Sequence, residues 1–323
     1  MTAPTTIGGF FPLELPTTRG ALPPSDAVAL SSGRGCLRAI LEHMRPARLL
    51  APFYICDAAL SPARQLGIPI VRFPIGPDLL PRLPALSPAD LVLVVDYFGV
   101  CPSATHCIDG LGERGIVDQT HALFAPRNAP HWFFASARKW FGVPDGAFLW
   151  GPSAVSPPLT AASSELPIHL ITRRWGEPDV AYRAYQQAEA TLDDAVRSIS
   201  ELSAALLGGV DVARVQNTRR ANFLHLHHRL GAHNQLQLPQ NPQNVPFCYP
   251  FLPPRPVSRD ALRERGLFIP MFWTECTSGT DATFAWERLL AQSLLPLPID
   301  HRYGPEAMDQ LAATLEQLIE EAP

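Results

Sequence analysis

With 323 residues, 46% of them hydrophobic and 17% charged, the chain is long enough for one sizeable α/β domain and a second, smaller one. A net charge of −4 points away from nucleic acid, and the longest purely aliphatic run, residues 91–95, is far too short for a membrane span. The chain start lacks a basic stretch followed by an apolar one, and the six scattered cysteines form no Cys-x-x-Cys pair, so we expect a cytoplasmic protein with reduced thiols, no leader and no metal site.

In chain order, Ser31-Ser32-Gly33-Arg34-Gly35 reads as a loop turning into a helix over 36–43, where Leu37, Ile40, Leu41 and Met44 recur at helical spacing. Residues 48–53 predict a strand, 57–66 a helix and 68–73 a strand. The run at 91–95 reads as a buried strand ending in Asp96-Tyr97-Phe98-Gly99, and 115–118 as the next strand. Two more, 132–135 and 147–150, flank a loop that carries Lys139. Short apolar strands alternating with helices predict a mostly parallel sheet covered on both faces. Beyond it, 181–207 and 213–230 read as helices, 245–252 as a strand, 258–265 as a helix and 267–271 as a strand. An apolar segment at 294–299 then precedes a last helix over about 304–320. The 35 prolines cluster at 12–24, 144–167 and 239–256, which marks loops. The expected division is an N-terminal segment and large domain over 1–210, followed by a small α+β domain over 211–323.

The chemistry-bearing residues concentrate around that loop. Lys139 stands 21 residues after Asp118, which ends the apolar run Gly115-Ile116-Val117, and Ser136 stands three residues before the Lys. An amine, a carboxylate at a strand end and a nearby hydroxyl are what a pyridoxal phosphate (PLP) enzyme needs. The amine condenses with the aldehyde, the carboxylate pairs with the pyridine nitrogen, and the hydroxyl holds phosphate. Each residue also has a plainer reading: a solvated loop Lys for Lys139, and a helix-capping Asp for Asp118. Ser32, Gly33 and Arg34 precede a helix whose N-terminus favours a phosphate, although Ser before a helix is often only a cap. His225 and His228 share helical spacing without an accompanying carboxylate or Cys, and read as a half-exposed face. Arg173 and Arg174 fit either an anionic substrate or a solvated basic pair.

Several blocks make the chain resemble the DegT/DnrJ/EryC1/StrS group of sugar aminotransferase-like enzymes. Ser32-Gly33-Arg34 is similar to that family's Ser-Gly-Thr turn, and residues 95–99 to its strand ending in an aromatic and Gly. Asp118-Gln119-Thr120-His121-Ala122 is similar to its Asp-Ala-Ala-His block, residues 136–146 to its Lys loop, and 294–300 with the closing helix to its C-terminal segment. Residues 8–15 look like the N-terminal signature of a short branch. The resemblance implies an α/β fold of the fold type I PLP class, with PLP at the interface of a homodimer. It implies Lys139 as the aldehyde-binding base and Asp118 as partner of the ring nitrogen. His121 would contact the phenolic oxygen, an aromatic (Tyr54, or its neighbour Phe53) would stack on the ring, and Ser32, Gly33, Arg34 and Ser136 would surround the phosphate. The implied reaction moves an amino group from glutamate or glutamine to a nucleotide-linked keto-sugar. A PLP lyase or dehydratase, or a non-catalytic binding relative, is the alternative on the same scaffold. Two departures stand out: Arg34 replaces the usual Thr, and Ser136 lies three rather than five residues before the Lys.

Overall fold

The computed structural model describes residues 7–8, 21–100, 104–153 and 167–321, so residues 9–15 of the N-terminal block and Cys101 lie outside it. The first part runs β1 (Ile7–Gly8), β2 (Val28–Leu30), α1 (Gly33–Met44), β3 (Arg48–Pro52), α2 (Ser61–Gln65), β4 (Ile70–Phe73), β5 (Asp90–Val95), β6 (Gly115–Asp118), β7 (Trp132–Ser136) and β8 (Ala147–Trp150). Seven of these strands form one sheet in the order β2-β8-β7-β6-β5-β3-β4. Strands β4, β3, β5, β6 and β7 are mutually parallel, and β8 runs antiparallel to both β7 and β2. Every residue of β5, β6, β7 and β8 is buried, which is why β5 reads Leu-Val-Leu-Val-Val with no polar alternation. The register pairs Val95 with Asp118 and Asp118 with Phe134, so these strands end level at their carboxyl edge. The ladder continues one residue further, with Asp96 N–H donating to Asp118 O at 3.0 Å and Gln119 N–H to Phe134 O at 2.8 Å.

The second part comprises α3 (Ile168–Trp175), α4 (Pro178–Thr191), α5 (Glu201–Gly208), α6 (Val212–Leu230), β9 (Tyr249–Phe251), α7 (Arg259–Glu264), β10 (Leu267–Phe268), α8 (Ala285–Ser293), β11 (Leu295–Leu297) and α9 (Pro305–Glu321). Helix α9 buries Met308, Leu311, Ala312, Leu315 and Leu318, an i, i+3, i+4, i+7 stripe, and each large side chain on it stabilises by roughly 1.5–3 kcal/mol. The single helix expected over 181–207 is broken. Residues 197–199 instead run along the outer edge of β2, where Ser31 N–H donates to Arg197 O and Ile199 N–H to Ala29 O. Satisfying that otherwise open sheet edge outweighs helix propensity. The strands expected at 245–252 and 267–271 shrink to β9 and β10. The first pairs antiparallel with β11 and the second parallel with β1. The N-terminal Ile7–Gly8 pair therefore joins the part after residue 210. One buried apolar cluster runs from Leu37, Leu41 and Leu93 through Phe223 and Tyr249 to Leu295 and Leu315, and so crosses residue 210. A second cluster, including Val94, Phe133, Trp140 and Leu207, fills the other face of the sheet.

Candidate active site

The carboxyl edge of β6 and β7 is where the sequence-predicted residues meet. Asp118 is buried at the end of β6, and its Oδ1 accepts from Thr120 N–H at 2.8 Å. Burial, aided by the Asp96 carboxylate, pushes its carboxyl up to about 6 against the pull of Thr120. Among the described residues, no cationic side chain contributes to that shift. His121 follows one turn on. Burial first, and the Lys139 charge second, hold its ring down to about 3, and its buried Nδ1 has no hydrogen-bond partner among the described residues. Its ring lies nearly parallel to Phe247 (4.4 Å between centroids, 6°) and to Trp273 (5.6 Å, 13°).

Lys139 closes a 3-10 turn, Ala137–Lys139, that starts where β7 ends, and its side chain is exposed. The turn is laced to the Asp118 loop: Ser136 N–H donates to Thr120 Oγ1 at 3.3 Å, and Trp140 Nε1 to Thr120 O at 2.8 Å. Ser32 caps α1 by accepting from Gly35 N–H at 3.0 Å. Helix geometry leaves the Gly33 and Arg34 amides without an intrahelical acceptor. A Cβ built on Gly33 would sit 3.8 Å from the Ser136 Cβ, so this amide-rich helix end faces the end of β7.

Two predicted positions are placed differently from what the resemblance implies. Arg34 directs Nη1 to the Leu192 carbonyl at 2.9 Å, where it ties the end of α4 to α1. Tyr54 has no exposed surface. Its ring packs edge-on against Trp273 (4.4 Å, 85°) and beside Tyr97 (5.7 Å), whose hydroxyl donates to Tyr54 O at 2.6 Å. An outside ring reaches Tyr54 only if one of these neighbours moves. Of the α6 histidines, His225 pairs with Asp309 at 2.8 Å and His227 lies by the Tyr249 hydroxyl at 3.3 Å, while His228 is exposed. Arg174 lies over Trp175, and Arg173 is half-buried.

The structure adds residues that carry no local signal. Cys56, just after β3, and Glu189, on α4, both feel the Lys139 charge, and Glu189 is ion-paired with Arg138. Arg219 of α6 is buried with its guanidinium 4.3 Å over Trp140, and its Nη1 donates to Phe247 O at 2.7 Å. It thereby clamps the neighbour of Lys139 and the ring beside His121. Trp273 adopts left-handed backbone (φ 54°, ψ 51°), which costs a non-glycine residue about 1–3 kcal/mol. Its turn is docked on the chain after β3, with Cys276 Sγ against Phe53 O at 3.1 Å and a Glu275 carboxylate accepting from Asp57 N–H. All these contacts join residues far apart in sequence, so no spacing rule reveals them.

These residues fit PLP. A buried carboxylate lacking a cation suits a protonated ring nitrogen, an exposed amine suits the aldehyde, and a capped helix N-terminus beside Ser136 suits the phosphate.

The fold is one that the chain shares with solved aminotransferases. Among solved structures, the chain is similar to Spr1654 from Streptococcus pneumoniae in its PLP form, at 13% identity and TM-score 0.67 over 98% of this chain and 99% of that one. It is similar to a DegT DnrJ EryC1 StrS aminotransferase from Brucella abortus (14%, 0.61, 90% and 85%) and to DesI in the presence of its TDP-sugar product (16%, 0.62, 91% and 80%). No family model and no curated protein matches the sequence.

Proposed function

We propose that the chain is a PLP-dependent aminotransferase that passes an amino group from glutamate or glutamine to a nucleotide-linked keto-sugar. The observation that carries this reading is the convergence of Asp118, His121, Ser136 and Lys139 on one sheet edge beside the α1 N-terminus, on a fold shared with such enzymes. When bound, PLP supplies an electron sink for the carbanion formed at the reacting carbon. Lys139 Nζ carries the proton to and from that carbon. Asp118, desolvated at the end of β6, would pair with the ring nitrogen of the bound cofactor and favour its protonated form. His121 offers its unpartnered Nδ1 toward the cofactor. Ser32 holds the α1 cap so that the Gly33 and Arg34 amides and Ser136 receive the phosphate. Thr120 and Trp140 keep Lys139 and Asp118 in register, while the Phe247 ring covers that of His121. The TDP-sugar of DesI supports the acceptor class.

In the same reading the protein is a cytosolic two-fold dimer. The apolar side chains Ile168, Trp175, Val180 and Tyr182 stand exposed on the α3–α4 hairpin next to Arg138, as a subunit interface requires. No helix of the described residues is long and apolar enough to cross a membrane. The test is titration with PLP followed by borohydride reduction and peptide mapping, then a half-reaction with glutamate. A stable adduct on Lys139 and loss of the cofactor's visible band on adding glutamate are expected. Lys139 is the single lysine of the chain, so an adduct on the N-terminal amine instead, or no response to any amino donor, overturns the reading.

A further inference from the structure

Trp273 has no part in cofactor binding or proton transfer as described, yet it is held in strained backbone. A glycine at this position would adopt φ 54° freely, and an indole there is strained. The strain is held in place from both sides of the turn. Cys276 N–H donates back to Trp273 O at 2.9 Å, and Cys276 Sγ and Glu275 are fastened to Phe53 and Asp57. The indole is thereby set edge-on to buried Tyr54 and nearly parallel to buried His121, while remaining half-exposed itself. Tyr54 and Phe98 have no exposed surface and Tyr97 almost none, whereas the Trp273 indole is partly exposed.

We propose that Trp273 is a specificity-determining residue whose indole face receives the ring of the sugar acceptor. This rests on the reading of the site as a sugar aminotransferase. A pyranose presents a flat C–H face that packs on an indole, and the indole adds area at little rotamer cost. An amino-acid donor has no such ring, so the indole matters to one half-reaction and not to the other. A residue that only supported the cofactor would matter to both equally.

The test uses the PLP-loaded full chain, Trp273→Gly, which also relieves the left-handed strain, and Trp273→Phe, which keeps an aromatic face. PLP affinity is read by absorbance, the donor half-reaction with glutamate, and sugar binding by calorimetry with TDP-, UDP-, GDP- and CDP-glucose. We expect Trp273→Gly to keep PLP affinity and the glutamate half-reaction within about threefold while losing about 30-fold in affinity for the sugar nucleotide that the parent binds, with Trp273→Phe recovering most of it. Equal losses in both half-reactions, or an unchanged sugar affinity, overturn the proposal. A parent that binds PLP on Lys139 but none of the four sugars overturns it too. A parent that takes up no PLP instead sinks the reading on which it rests.

Discussion

Two regions border the Lys139 turn, and they are built in opposite ways. The carboxyl edge of β6 and β7 is wholly buried, its backbone is paired past the strand ends, and its one carboxylate pays a desolvation cost. The α3–α4 hairpin packs mainly on itself and keeps Ile168, Trp175, Val180 and Tyr182 in solvent. It is tied to the rest through Arg138–Glu189 and Arg34–Leu192. Burial of the first region strengthens every electrostatic contact made there, as the proposed chemistry would require. The second has an unfinished apolar face, which a second copy of the chain would cover. On the proposed reading, the difference separates a region that would serve chemistry from one that would serve assembly.

The sharpest way to break this comparison is at Lys139 itself. Lys139→Ala should lower turnover by about 10³-fold or more, because it removes the amine and the proton carrier together. Its exposed side chain contributes little to folding, so the Tm should barely move; turnover within tenfold of the parent would place the chemistry elsewhere. Asp118 separates function from stability most clearly. Its folded-state value of about 6 lies above the ordinary 3.8, so the folded state binds the proton more tightly than the unfolded one. The Asp118 contribution to the apoprotein's stability is therefore fully present below pH 4 and is lost progressively as pH rises through 6, by about 3 kcal/mol in order of magnitude. Asp118→Asn should flatten that dependence in urea titrations while crippling turnover by about 10²-fold or more. A parent and an Asp118→Asn apoprotein with the same pH dependence between pH 4 and 7 would show that the Asp118 carboxyl is not raised.

On the hairpin, Trp175→Glu and Tyr182→Glu together should convert a dimer of about twice 35.3 kDa into a monomer, measured by sedimentation. Folding stability of the isolated chain should change by no more than roughly 0.5 kcal/mol, since both side chains are exposed. A variant that stays dimeric assigns the interface to another face. The smallest effect belongs to Arg34→Thr. It removes the bond to Leu192 O, worth about 1 kcal/mol, and should alter PLP affinity less than about threefold. A tenfold loss of PLP would show that the guanidinium turns to the phosphate after all.

Much of this was legible in local pattern. The apolar run of β5, the strand end at Asp118 and the Ser32 cap of α1 follow from composition and spacing, and the structure has each where expected. The break after α4 was not legible, because good helix formers on both sides hide it. It exists because residues 197–199 satisfy the edge of β2, nearly 170 residues earlier in the chain. The short β10 was over-read for a similar reason: an apolar run tells of burial, while ladder length depends on the partner, here the two residues of β1.

The sequence by itself determined the α/β alternation, the position of Lys139 after a strand and that of Asp118 at another, since these depend on side-chain periodicity and on strand ends. Only the tertiary structure decided which residues border them: Trp273 beside His121, Arg219 over Trp140, Cys56 and Glu189 near Lys139, and Tyr54 sealed away. Those contacts join side chains from separate elements, and their free energy comes from burying rings and pairing charges across the core, a quantity that no local window of the chain contains.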